Sequence, residues 1–202
     1  MLKKRIAVLI SGRGSNFKSI HREIEKGTIN GEIVTVISDN PDAQGLLYAR
    51  EKGIEHRVFE WNRKEMRADY FQRIMEYLAD KSTDLIVLAG FMLVLSENII
   101  RAYRNRIINI HPALLPSFPG VDAQQQAFEY GVKYSGCTVH FIDEGVDTGP
   151  IIQQRVVPVL DDDEVHILTD RILEQEHSLF PEVVRLFCAD RLVVKGRRVF
   201  VK

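Results

Sequence analysis

Asn109 and His111 stand two residues apart in Asn109-Ile110-His111-Pro112-Ala113-Leu114-Leu115-Pro116. On a strand, that spacing points both side chains to one side. Asparagine supplies a neutral donor, and histidine can donate a hydrogen bond or move a proton near neutral pH. Together they could hold an oxyanion formed by attack on a carbonyl carbon. The same pair also reads as two strand-end polar groups satisfied by their neighbours. Pro112 and Pro116 stiffen the chain beyond. A second chemical stretch is Asp143-Glu144-Gly145-Val146-Asp147-Thr148-Gly149-Pro150. A carboxylate here could orient His111 or relay a proton, or the loop could be a solvated turn. Spacing alone does not separate Asp143, Glu144 and Asp147, and it lacks the calcium-loop pattern. His140, just upstream, reads as a supporting residue.

Ser11-Gly12-Arg13-Gly14-Ser15-Asn16 lies between a strand and a helix. Glycines let the backbone turn sharply and approach a ligand. The helix start offers free N–H groups and positive dipole potential, which suits phosphate. A tight turn without a ligand is the plainer reading. A dinucleotide site is a rival, with Asp39 near the end of the second strand as its ribose acid. Phe17 stands where that fingerprint wants a third glycine, so the match is partial. Asp39 then reads as a turn residue before Asn40-Pro41.

His21, His56 and His166 sit singly, His177 is ambiguous, and no cluster has metal-ligand spacing, so no metal is expected. Trp61 with Phe59 and Tyr70 reads as packing. Cys137 and Cys188 match no zinc or redox motif and read as buried thiols in a reducing compartment. Acidic and basic residues nearly cancel, 28 against 27. That balance argues against a chain built to coat nucleic acid or an anionic membrane. With no signal peptide or membrane span in view, a cytoplasmic protein is expected. The 202 residues, 45% hydrophobic, suit one domain with a real core.

The elements that must position these residues alternate. Strands are predicted at Ile6–Ile10, Ile33–Ser38, His56–Phe59, Leu85–Leu88 and Arg106–Ile110. Helices are predicted from Ser15 to Lys26, from a capped Asn40-Pro41-Asp42 turn to Lys52, from Lys64 to Asp80, and from Ser96. Apolar strands separated by helices indicate a doubly wound α/β fold with a mostly parallel sheet. Ligands bind such sheets beyond the strands' carboxyl ends, where Ser11-Gly12, Ala89-Gly90 and Asn109-Ile110-His111 all fall. Further strands are predicted at Thr138–Ile142 and Ile151–Val157. A late helix is predicted over Asp163–Ala189, broken or kinked at Pro181, and a hairpin over Arg191–Lys202 turning at Lys195-Gly196.

Taken together, SGRGSN at 11–16, LAGFM at 88–92, NIHPALLPSFPG at 109–120, VHFIDEGVDTGPI at 139–151 and QEH at 175–177 resemble the phosphoribosylglycinamide formyltransferase family. The segments come in family order across nearly the whole chain. The resemblance implies a Rossmann-like formyltransferase domain over residues 1–202. Its phosphate-binding part would cover about residues 1–100, its folate and catalytic part about 85–190, and the hairpin 191–202. It implies transfer of a formyl group from 10-formyltetrahydrofolate, the co-substrate, to the amine of glycinamide ribonucleotide in purine biosynthesis.

It implies residue roles too. Gly12, Arg13, Gly14, Ser15 and Asn16 would hold phosphate and ribose, with Glu176 on the ribose hydroxyls. Arg67, Met92, Leu93, Val94, Leu95, Ile142, Asp143 and Glu144 would line the folate site with Asn109 and Asp147. Asn109, His111 and Asp147 would be the catalytic trio, Asp147 being chosen by the family motif, with His140 and Thr138 behind them. Asn109 and protonated His111 would stabilise the oxyanion while Asp147 favours the charged ring. Leu173 and Asp122 depart from residues that some relatives carry. Partners would be the two small substrates, with no nucleic acid or membrane; a homodimer is compatible. The rivals are a formylfolate hydrolase, expected to carry an extra N-terminal domain, and formyltransferases acting on methionyl-tRNA or a sugar amine, the former with a further C-terminal domain. A nicotinamide-dependent oxidoreductase and a non-catalytic nucleotide sensor come from other classes.

Overall fold

The buried run Ile6–Ile10 sets the first half of the chain, because a strand with no polar alternation must be covered on both faces. In a computed structural model describing residues 2–62 and 64–202, it is the end of β1 (Lys4–Ile10). The chain divides into two compact units, Met1–Ile108 and Asn109–Lys202.

In the first unit, β1 pairs in parallel with β2 (Gly31–Ser38), and β2 with β3 (His56–Val58). On its other side β1 pairs in parallel with β4 (Leu85–Leu88). The strand order is thus β3-β2-β1-β4. Helices α1 (Ser15–Glu25), α2 (Gln44–Glu51), α3 (Arg67–Asp80) and α4 (Glu97–Ala102) separate the strands. Helix α3 buries Tyr70, Phe71, Ile74, Tyr77 and Leu78, the i, i+3, i+4 stripe of an amphipathic helix. Burying each such side chain contributes about 1.5–3 kcal/mol.

Two predicted starts are corrected. Helix α3 begins at Arg67 rather than Lys64. The N-cap of helix α2 is Ala43, with no side-chain hydrogen bond, so the cap expected from the Asn40-Pro41-Asp42 turn does not form. The Asn40 side chain instead accepts the Asp42 N–H at 3.0 Å and closes its own turn. Strand β5 (Ile107–His111) carries the chain from one unit into the next.

In the second unit, β6 (Tyr134–Phe141) and β7 (Ile151–Pro158) form an antiparallel pair, irregular between Val139 and His140. Strands β8 (Leu192–Lys195) and β9 (Arg198–Val201) form the expected hairpin, and β9 joins β7 in parallel at Ile151 and Arg198. The order is β6-β7-β9-β8. Helix α5 (Ala123–Tyr130) was not predicted, and α6 (Val165–Cys188) runs unbroken through Pro181. The expected α/β fold with a C-terminal helix and hairpin therefore forms, parallel in the first unit and largely antiparallel in the second. Among the described residues, no helix is long and apolar enough to cross a membrane.

Candidate active site

Four side chains converge in the second unit. Strand β5 delivers Asn109 and His111, β6 delivers His140, and the loop after β6 delivers Asp147. The Asp147 carboxylate lies 3.3 Å from His111 Nδ1 and 3.7 Å from His140 Nε2. It also accepts the Gly120 N–H at 2.8 Å. The Asn109 amide nitrogen lies 3.2 Å from His140 Nε2. His111 and His140 are buried, and the Asp147 side chain is 13% exposed.

The two histidines are held differently. His140 Nδ1 lies 2.9 Å from the Phe141 carbonyl, an acceptor, so that nitrogen carries the proton. Nε2 is then free to accept from the Asn109 amide. Burial, and secondarily the neighbouring His111, pulls the His140 pKa below its ordinary value, although Phe141 and Asp147 oppose this. His111 Nε2 lies 2.8 Å from the Phe118 carbonyl while Nδ1 faces Asp147. Both neighbours are acceptors, so a ring with protons on both nitrogens satisfies both contacts. Phe118 is held at φ 53, a conformation costly for a bulky residue.

The acidic loop sorts its three candidates. Asp143 Oδ1 accepts the Gly145 N–H at 3.2 Å and the Thr148 hydroxyl at 2.6 Å, so it ties its own loop. Glu144 is exposed. Asp147 alone of the three contacts His111. The loop is also tight: a Cβ on Gly149 would lie 1.8 Å from the Phe141 carbonyl oxygen. Thr138 holds the chain beyond His111, donating to the Ala113 carbonyl at 2.6 Å and accepting the Leu115 N–H at 3.0 Å. Gln154, which the sequence reading missed, donates to both Thr138 and the Leu115 carbonyl at 3.0 Å.

The first unit carries the glycine loop. Gly14, at φ 68, is the residue before α1, and the exposed Gly12 and Arg13 precede it. Gly45 of α2 crosses the loop, its N–H donating to the Gly12 carbonyl at 3.1 Å. A Cβ on Gly14 would meet Gly45 Cα at 3.0 Å. Asp39 is more than a turn residue: it accepts the Ser11 hydroxyl at 2.5 Å, and Ser11 Oγ accepts the Met92 N–H at 2.9 Å. In the same unit, Met92 and Val94 are exposed, Leu93 is half-buried and Leu95 is buried. The Arg67 guanidinium lies 5.5 Å over the Trp61 ring.

Elsewhere in the second unit, Glu176 is buried in α6 close enough to Cys137 to act on its thiol. Burial first, and Glu176 second, push that thiol to about 12, which makes it a poor nucleophile. Ile142 is half-buried and Leu173 half-exposed along α6. Asp122, at φ 55, precedes α5 in a left-handed conformation that Asp tolerates. Among the described residues, no group of three or more His, Cys, Asp or Glu could hold a metal ion.

With this geometry in hand, comparison decides the family: residues 4–184 match the formyl transferase family. The chain belongs to it. A solved glycinamide ribonucleotide transformylase 1 from Symbiobacterium toebii superposes with a TM-score of 0.96 at 47% identity, covering 98% of this chain and 94% of that one. The phosphoribosylglycinamide formyltransferase of Bacillus subtilis is 40% identical over 182 residues, 90% of this chain and 93% of that protein. The trifunctional purine biosynthetic protein adenosine-3 of Drosophila melanogaster is 46% identical over 187 residues, or 91% of this chain. This chain spans only 14% of the fly protein's length.

Proposed function

We propose that this formyl transferase moves the formyl group of 10-formyltetrahydrofolate to the amine of glycinamide ribonucleotide, in the purine route that its relatives' names describe. The observation that carries the reading is the His111–Asp147 contact, with Asn109 set against His140, in a family whose members transfer formyl groups. The acceptor amine attacks the formyl carbon. The carbonyl oxygen takes the charge. As it collapses back to a carbonyl, the bond to the folate nitrogen breaks and that nitrogen leaves protonated, taking the proton that the attacking amine has given up by way of Asp147. Asn109 donates to that oxygen through an amide proton. His111 donates through Nε2–H, the oxyanion taking the place of the Phe118 carbonyl as acceptor. Asp147 stabilises the doubly protonated ring and receives, through water, the proton that the attacking amine sheds.

The glycine loop suits the acceptor's phosphate, because the first turn of α1 presents its backbone N–H groups there. In this reading Gly12, Arg13, Gly14, Ser15 and Asn16 hold phosphate and ribose, and Glu176 meets the ribose. Arg67, Met92–Leu95 and Ile142–Asp147 line the folate. The protein acts as one formyltransferase domain in the cytoplasm and needs no metal. The test is a formyl-transfer assay with 10-formyltetrahydrofolate, run with and without glycinamide ribonucleotide. Acceptor-dependent loss of the formyl donor supports the proposal. Donor consumption that ignores the acceptor replaces it with a hydrolase.

A further inference from the structure

The hairpin β8–β9 lies beyond the residues that match the family, and yet it touches the loop that carries Asp147. Its turn residue Arg197 donates from Nη2 to the Thr148 carbonyl at 2.8 Å. We infer that Arg197 is a positioning residue, through which the hairpin holds the 143–149 loop and sets the Asp147 carboxylate against His111. The inference rests on the role proposed above for Asp147.

Three observations converge on it. The loop is pinned from inside through side chains and at its base: Asp143 accepts Gly145 N–H and Thr148 Oγ1–H, and the Phe141 N–H donates to the Pro150 carbonyl. The Thr148 carbonyl takes its hydrogen bond from outside the loop, with Arg197 as its donor. Asp147, the residue before Thr148, has φ 53, a left-handed conformation that Asp tolerates and that its neighbours' contacts keep in place. Loosening of the backbone at Thr148 would leave Asp147 less firmly set against Gly120 N–H and His111. Finally, the hairpin is itself anchored where it must be. Strand β9 joins β7 at Ile151 and Arg198, just past Gly149-Pro150. That pairing fixes the distance between Arg197 and Thr148. The neighbouring Arg198 does not share the task, since its guanidinium lies 5.1 Å over the Phe200 ring.

The contact is exposed, so its loss costs an ordinary hydrogen bond rather than a buried charge. In the full chain, Arg197→Ala should lower formyl-transfer kcat about three- to tenfold, with the KM for glycinamide ribonucleotide unchanged. Arg197→Lys should restore most of the turnover, because a single N–H is donated and an ammonium can supply one. Arg198→Ala should match the wild type. Independently of activity, backbone amides 145–149 should exchange faster with deuterium in Arg197→Ala. Wild-type kcat in Arg197→Ala, or unchanged exchange at 145–149, overturns the inference. Faster exchange in a protein whose wild type transfers no formyl group keeps the brace and discards the proposed reaction instead.

Discussion

The Asn109 side-chain amide points its nitrogen at Nε2 of His140, 3.2 Å away, and not at Asp147. Because His140 Nδ1 is engaged by the Phe141 carbonyl, Nε2 is an acceptor, and it fixes which end of the amide faces it. This arrangement depends on a neutral His140. Burial lowers its pKa, so at pH 6.5, where a free histidine is half protonated, His140 should remain mostly neutral with the proton on Nδ1. Nitrogen chemical shifts of the labelled ring read this directly; an imidazolium signal at that pH would refute it.

Removing the amide donor tests the oxyanion role. Asn109→Ala should lower kcat about 10²–10³-fold, the usual cost of one such donor, with the folded state retained. Turnover within a few-fold of wild type would remove Asn109 from the chemistry.

Asp147→Asn tests a different contribution. The amide keeps the shape but loses the negative charge facing His111 Nδ1. Turnover should fall by orders of magnitude while acceptor binding, measured by calorimetry, stays near wild type. A loss confined to binding would assign Asp147 to substrate placement instead.

Gly14→Ala should damage the glycine loop locally. An alanine at φ 68 costs about 1–2 kcal/mol, and its Cβ would press on Gly45 Cα at 3.0 Å. The melting temperature should drop and the KM for glycinamide ribonucleotide should rise, with the KM for the formyl donor little changed. Equal increases in both constants would argue that the loop does not serve the acceptor alone.

Asp163 and Arg171 give a pH prediction for stability. The Arg171 guanidinium, 2.6 Å away, holds the Asp163 carboxyl down at about 2. A carboxylate with a depressed folded-state pKa stabilises the fold above its unfolded pKa, about 3.9. That contribution is lost as pH falls from there toward about 2. Asp163→Asn should therefore melt lower than wild type at neutral pH, and the gap should close across that acid range. A gap that persists below it would assign the effect to packing.

The parallel half of the fold was legible because its strands are continuous apolar runs, as Leu85–Leu88 is, and nothing else fits between the helices. Helix α5 was not, since its segment AQQQAFEY buries only Ala123 and Ala127 and carries no apolar stripe. Pro181 was expected to break or kink the late helix, and it does not break it. Losing one N–H and meeting one carbonyl normally ends a helix, but buried Leu179, Phe180, Val183 and Val184 on both sides hold α6 together. In the candidate site, the spacing of Asn109 and His111 placed both at one strand end and left a structural role open. That Asp147 is the carboxylate against His111 shows only in the folded loop, in which Asp143 turns inward. The Phe118 carbonyl could not have been found, because a main-chain oxygen leaves no mark in the sequence.

The crossing of Gly45 over Gly12 and Gly14 means that the string SGRGSN is not a portable module. Its shape is completed by a glycine some thirty positions later, at the start of α2. Grafting residues 11–16 into another α/β scaffold would carry over the letters without the cradle unless a glycine were also installed where the next helix passes. Searches of other sequences for this string would do better to ask for the pair.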